Sequence, residues 1–237
     1  MLFRKTTTAT PFFVLLVAVV GGEALAGTVR GRIAGQEKLT PAVYAEAAKP
    51  ESHRFTWREW SPTAKAEMKS LPANPSRDIC IAAIAQGTPP PHEPILVRIT
   101  GGHTAPTTIV VAPGTRLSFE NRDPFEHKLY QLQNPAWKAD TIPVGGRREW
   151  SSPNPGTFEF RDDSSPSLRF YVVVEAQVVD IAYPAKDGSF GFNLPAGDYV
   201  LKAFFNGKAV GKPVSVAAKE RGQVEIKESL AVGADAP

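Results

Sequence analysis

The chain carries one cysteine, Cys80, four histidines and two methionines in 237 residues. One cysteine excludes an intramolecular disulfide and any site built from several thiolates. The neighbours of Cys80 are Ile79, Ile81, Ala82 and Ile84, so a buried, inert thiol is expected rather than a nucleophile. No block of Lys and Arg stands out, which leaves a nucleic-acid surface without support. Gly101-Gly102 and Gly145-Gly146 are isolated pairs, not a phosphate-cradling loop, and no Gly-x-Ser-x-Gly elbow occurs. Beyond the first 26 residues no apolar run is long enough to cross a bilayer. No constellation orders the serines, histidines and aspartates into a catalytic set, so the expectation is a protein that is not an enzyme.

What the chain has in quantity is turn residues. Twenty-two Pro and nineteen Gly fall between short β-branched runs, which points to many turns and few helices. The first 26 residues read as an export signal: Arg4 and Lys5, an apolar run from Pro11 to Val20, then Ala24-Leu25-Ala26 as a small-residue cleavage site. Cleavage there lowers the formal charge from +3 to +2, with 25 basic against 23 acidic residues. The expected location is the periplasm of a Gram-negative bacterium, with no integral membrane segment after cleavage.

Residues 28–33 (TVRGRI), 42–46 (AVYAE), 54–60 and 79–85 read as strands, and 63–70 as one or two helical turns. From residue 95 the strand signal strengthens: 95–99, 107–111, 116–120, 127–133, 146–151, 156–161 and 169–178, with turn residues between. This spacing is the signature of a sandwich or barrel. After residue 179 the alternation in SFGFNL and YVLKAFF marks further strands, and Asn206-Gly207 is a strong two-residue hairpin signal. KPVSVAA and QVEIKESL complete a small antiparallel module.

Two resemblances follow from these segments. Residues 110–130 (VVAPGTRLSFENRDPFEHKLY) and 156–174 (GTFEFRDDSSPSLRFYVVV) resemble exported cupredoxin-like proteins of the plastocyanin and methylamine-utilisation type. Gly114, Leu117, Phe119, Asn121, Asp123 and His127 match G-x-x-V-x-F-x-N-x-D-x-x-x-H, and Tyr130 follows at a fitting distance. The family continues G-T-Y-x-Y-x-C-x-x-H-P-x-M, against Gly156, Thr157, Phe158, Phe160, Asp162, Ser165, Pro166 and Leu168 here. DGSFGFNLPAGDYVLKAF resembles the transthyretin-like, carboxypeptidase-regulatory β-sandwich. The resemblances imply an all-β protein: a cupredoxin-like Greek-key sandwich over 95–178 and a small transthyretin-like antiparallel sandwich over 179–237, preceded by 27–94. Two arrangements remain open. Either 28–47 folds with about 179–230 around an inserted sandwich, or the C-terminal module is contiguous and 27–94 decorates the other unit.

The resemblance also implies a metal position. Blue-copper chemistry needs two imidazoles, a thiolate and usually a weak axial thioether. Asp162 stands at the cysteine position, Ser165 at the second histidine and Leu168 at the methionine, so His127 alone survives of four ligands. His53, His92, His103, Met68 and Cys80 do not fall on the ligand loops. The expectation is no copper and no other cofactor. A zinc or manganese site using His127 with Asp162 and Asp123, Asp163 being nearby, is one alternative. The plainer expectation is a His–Asp hydrogen bond that ties two loops together.

Among the aromatics, Phe125 sits at the tip of the loop carrying His127, and Trp57, Trp60, Trp137 and Trp150 lie at strand ends or loops. Core or turn packing is the default role for each. The functional expectation is a non-catalytic binding or assembly component that meets a protein partner in the cell envelope. Recognition would use Phe125, Tyr130 and Asp163 on the loops 125–130 and 162–168. A carbohydrate-binding accessory module is the further alternative.

Overall fold

The computed structural model describes residues 26–42, 45, 72–87, 93–132 and 134–233. The export signal, the strand expected at 54–60, the helical turns expected at 63–70, His53, Trp57, Trp60, Met68 and His92 lie outside the described residues. In chain order the strands are β1 (Gly27–Ala34), β2 (Ile79–Ile84), β3 (Ile95–Thr100), β4 (His103–Thr104), β5 (Thr108–Val111), β6 (Leu117–Asn121), β7 (His127–Gln131) and β8 (Asp140–Ile142). They continue as β9 (Arg147–Trp150), β10 (Gly156–Asp162), β11 (Arg169–Val174), β12 (Val178–Ala182), β13 (Ser189–Leu194), β14 (Gly197–Phe205), β15 (Lys208–Ala218), β16 (Gln223–Glu225) and β17 (Leu230–Ala231).

These strands form four sheets stacked with three apolar layers between them. The first sheet runs β13-β1-β16, with β17 also on β1, and the second runs β12-β2-β14-β15. Val29, Phe192 and Leu194 from the first meet Ile79, Ile81, Leu201 and Phe205 from the second. The third sheet runs β5-β11-β10-β7-β8 and the fourth β4-β3-β6-β9. Between them lie Ile109, Leu129, Phe160, Phe170 and Val172 on one side, and Val97, Ile99, Leu117 and Phe119 on the other.

A third layer joins the two sandwiches. Cys80, Ala82, Ile84, Val178 and Phe204 of the second sheet pack on Val110 and Val173 of the third. This explains the runs ICIAAI, TIVV and FYVVV, which lack the polar alternation of a half-solvated strand. Strands covered on both faces read as continuous apolar runs. In β2, Ile79, Ile81 and Ala83 enter one layer while Cys80, Ala82 and Ile84 enter the other.

TVRGRI forms β1, which pairs antiparallel with β13 from Gly27↔Leu194 to Arg32↔Ser189. β2 pairs with β14, from Phe205↔Ile79 to Val200↔Ile84, so both early strands lie in sheets with residues after 178. Two expectations are corrected. The run 169–178 is not one strand: it divides into β11 and the start of β12, which belong to different sheets, and Gln177 takes φ 63 at the change of direction. Of the strand expected at 42–46, the described residues Ala42 and Ala45 lie in a helical turn, where Ala45 N–H donates to Pro41 C=O at 3.1 Å. Among the described residues no helix is long and apolar enough to cross a membrane.

Candidate functional site

The site is built where β6 hands over to β7. Asn121, fully buried at the end of β6, accepts the Asp123 N–H on Oδ1 at 2.9 Å, an Asx-turn that reverses the chain. Its amide group donates to the carbonyls of Phe125 at 2.8 Å and Ile142 at 3.0 Å. The turn after β6 and the end of β8 are thereby fixed to one side chain, and Asp123 and His127 are both buried.

Asp123 is met by the turn between β3 and β4. Gly101 N–H and Gly102 N–H both donate to its carboxylate, the second at 2.8 Å. Both glycines take positive φ, 63 and 69, which lets successive amides converge on one anion. Burial raises the affinity of Asp123 for a proton, but the two glycine amides and His127 more than offset it and hold its carboxyl below the ordinary value. Asp123 is therefore a carboxylate, and His127 Nε2–H donates to its Oδ2 at 3.0 Å.

The opposite ring nitrogen faces the other loop. His127 Nδ1 lies 3.3 Å from Asp162 Oδ2, with both side chains fully buried. The pair is within ion-pair distance but off hydrogen-bond angle, and neither atom has another hydrogen-bond partner. Asp162 Oδ1 accepts Ser165 N–H at 2.6 Å, and Ser165 C=O accepts Leu168 N–H at 2.8 Å, which folds the 163–168 loop on itself. Leu168 is fully buried in the layer between the third and fourth sheets.

This donor set does not fit copper. At the positions where the resemblance places a thiolate, an imidazole and a thioether, the chain has a carboxylate, a hydroxyl and a core leucine. Nor do His127, Asp123 and Asp162 converge on one point. The two carboxylates sit at opposite nitrogens of one ring, and a single ion binds an imidazole through one nitrogen. Among the described residues no group of three or more His, Cys, Asp or Glu is arranged to hold a metal ion.

The expected recognition residues separate. Phe125 is 44% exposed, with its ring 4.9 Å from that of His127. Asp163 is exposed on the adjacent loop, where its N–H donates to Lys128 C=O at 3.1 Å. Tyr130 is not at this end. It is half-buried opposite Arg161 and, three residues along β7 from His127, faces the other side of the sheet. Trp137 and Trp150 serve packing: the Arg148 guanidinium lies 3.6 Å over the Trp137 ring, and Trp150 Nε1–H donates to Gln131 Oε1 at 2.9 Å.

Three features escape a reading of the sequence. Gly101-Gly102 is the cradle for Asp123 rather than a bare turn. Val144, 61% exposed, lies on the β8–β9 turn, which hangs on the same asparagine because Gly145 N–H donates to Asn121 C=O at 3.0 Å. Glu120, nearly buried, gathers Arg147 at 2.7 Å, Arg122 at 2.7 Å and Arg98 at 3.6 Å, from strands and a loop far apart in sequence. Its carboxyl is held below the ordinary value by hydrogen bonds from Arg147, then from Arg122.

No family model matches the chain, and no curated protein matches it. Solved structures show a weak, low-identity likeness to cupredoxin-type folds. A copper(I) amicyanin variant is 20% identical, with a TM-score of 0.33, covering 35% of this chain and 82% of that one. A reduced amicyanin variant is 18% identical, with a TM-score of 0.32, covering 40% of this chain and 99% of the other. A purple cupredoxin from Nitrosopumilus maritimus is 19% identical, with a TM-score of 0.30, covering 34% and 99%. Likenesses of this size say nothing about activity.

Proposed function

We propose that this chain is an exported, non-catalytic binding or assembly component of the periplasm. In this reading the second sandwich is a cupredoxin-like Greek-key unit that retains the position of a metal site without its ligands. The first and second sheets together are a transthyretin-like module. The observation that carries the reading is the buried Asp123–His127–Asp162 cluster, in which the one remaining ligand residue is hydrogen-bonded to Asp123 through Nε2 and has the Asp162 carboxylate 3.3 Å from Nδ1. Such a cluster fixes loops in place, and a fixed loop end with exposed apolar side chains is suited to meeting a partner.

Phe125 and Val144 are the anchors this reading assigns, because apolar side chains exposed at the end of a rigid scaffold lose little conformational freedom on contact. Asp163 borders them, and Tyr130 takes no part. The test is capture from envelope extracts by the unmodified protein and by a Phe125→Ser/Val144→Ser variant in parallel. A protein retained by the first and lost by the second is the expected result. Equal retention by both, or no retained protein at all, contradicts the reading.

A further inference from the structure

The outer face of the fourth sheet carries a compact cationic cluster that shares no residue with the His127 site. Val97, Ile99, Leu117 and Phe119 point into the core, so the residues between them on β3 and β6 point outward. Arg98 stands opposite Glu120, and Glu120 opposite Arg147, which places the three in one row across β3, β6 and β9. Arg122 follows two residues after Glu120 and keeps to the ladder, its N–H donating to Ile99 C=O at 2.9 Å.

One buried carboxylate gathers three guanidiniums. Glu120 is 4% exposed, while the side chains of Arg98, Arg122 and Arg147 around it are each more than half exposed. Its Oε1 accepts Arg147 Nε at 3.1 Å and Nη2 at 2.7 Å, and its Oε2 accepts Arg122 Nε at 2.7 Å. Arg98 Nε lies 3.6 Å from Oε2, close enough for charge attraction and too far for a hydrogen bond. The hydrogen bonds from Arg147 and then Arg122 hold the Glu120 carboxyl below its ordinary value, so it is ionised. Three cations around one anion leave a local charge of +2. Glu149, two residues along β9, is itself paired with Arg116 at 3.7 Å. Among the described residues the Arg98 fork and the Nη groups of Arg122 make no hydrogen bond, so donors remain on the solvent side.

We infer that this cluster binds a phosphate monoester. A monoester carries about two negative charges at neutral pH and three acceptor oxygens. That matches a local charge of +2 and guanidinium donors gathered around one point. A sulfate ester or a phosphodiester carries a single charge and matches less well, so the inference does not extend to a nucleic-acid backbone. It uses neither Phe125 nor Val144, and its failure leaves the loop-end reading standing.

The test is titration of the purified protein, followed by amide NMR, with methyl phosphate and with two singly charged probes of similar size, methyl sulfate and dimethyl phosphate. Methyl phosphate is expected to saturate one site, shifting the amides of Arg98, Glu120, Arg122 and Arg147. The two singly charged probes are expected to bind about tenfold more weakly or worse. Arg98→Gln, which breaks no hydrogen bond to Glu120, should weaken methyl phosphate by about tenfold, while Arg32→Gln, in an exposed pair with Asp187, leaves it unchanged. Flotation with phosphatidate vesicles, against phosphatidylcholine as the blank, then assigns the source of the ester. Retention on phosphatidate points to a lipid headgroup, and methyl phosphate binding without retention to a soluble ester; both uphold the inference. Absence of saturable shifts at these amides overturns it. So does either singly charged probe binding as tightly as methyl phosphate, or a folded Arg98→Gln protein that binds normally.

Discussion

His127 shows how one residue type serves two chemistries. An imidazole presented with a thiolate and a thioether binds copper, whereas this one is hydrogen-bonded through Nε2 to Asp123 and faces Asp162 across 3.3 Å. The matching of His127, Asp123 and Asp162 to loop positions was readable because their spacing survives in the sequence. Which nitrogen meets which carboxylate was not, since that depends on a glycine pair some twenty residues upstream. Asp123 gives the clearest residue-scale prediction. Its carboxyl is held below the ordinary value of about 3.8, so the stability it contributes is complete above that pH and lost as pH falls through the lower folded value. As pH falls below that ordinary value, thermal melts of the unmodified protein should lose more stability than those of Asp123→Asn, which starts lower at neutral pH. Parallel loss in the two proteins would remove Asp123 from the account.

At the scale of elements, the hairpin at Asn206-Gly207 forms where the dipeptide predicts it, with φ of 49 and 76 at the two turn positions. Local chemistry decides such turns, which is why they are legible. The two-residue strand β4 and the three-residue β8 were not, because so short a run leaves no alternation to count. Their pairing is imposed by neighbours already in place. The Gly101-Gly102 turn between β3 and β4 is the element on which the site depends. A Cβ on Gly102 would take a left-handed conformation and lie 3.0 Å from the Ser165 hydroxyl. Gly102→Ala should therefore cost about 1–2 kcal/mol in chemical denaturation. A neutral substitution would show that the paired amides are not held as described.

For the whole molecule, the unanticipated feature is the apolar layer between the sandwiches. The sequence announces it only as strands without alternation, a pattern that a buried helix segment shares. Membership of β2 in one sheet with β14 is a long-range pairing that no local signal encodes. Cys80 at the centre of this layer has its thiol pushed up to about 12 by burial, in keeping with a packing role. Because Phe204, Val173 and Ala82 belong to a layer shared by both sandwiches, calorimetry should record one cooperative transition. Phe204→Ala should lower it as a unit, by about 3–5 kcal/mol. Two separate transitions, with one unaffected by Phe204→Ala, would mean that the layer does not couple the sandwiches.

The central claim is that the loop end holding His127 is a structural clamp and not a metal site. Isothermal titration of the purified protein with copper(II) and with zinc(II), repeated on His127→Ala, tests it most directly. No saturable binding that depends on His127 is expected. One equivalent of either ion bound by the unmodified protein and lost in His127→Ala would contradict it.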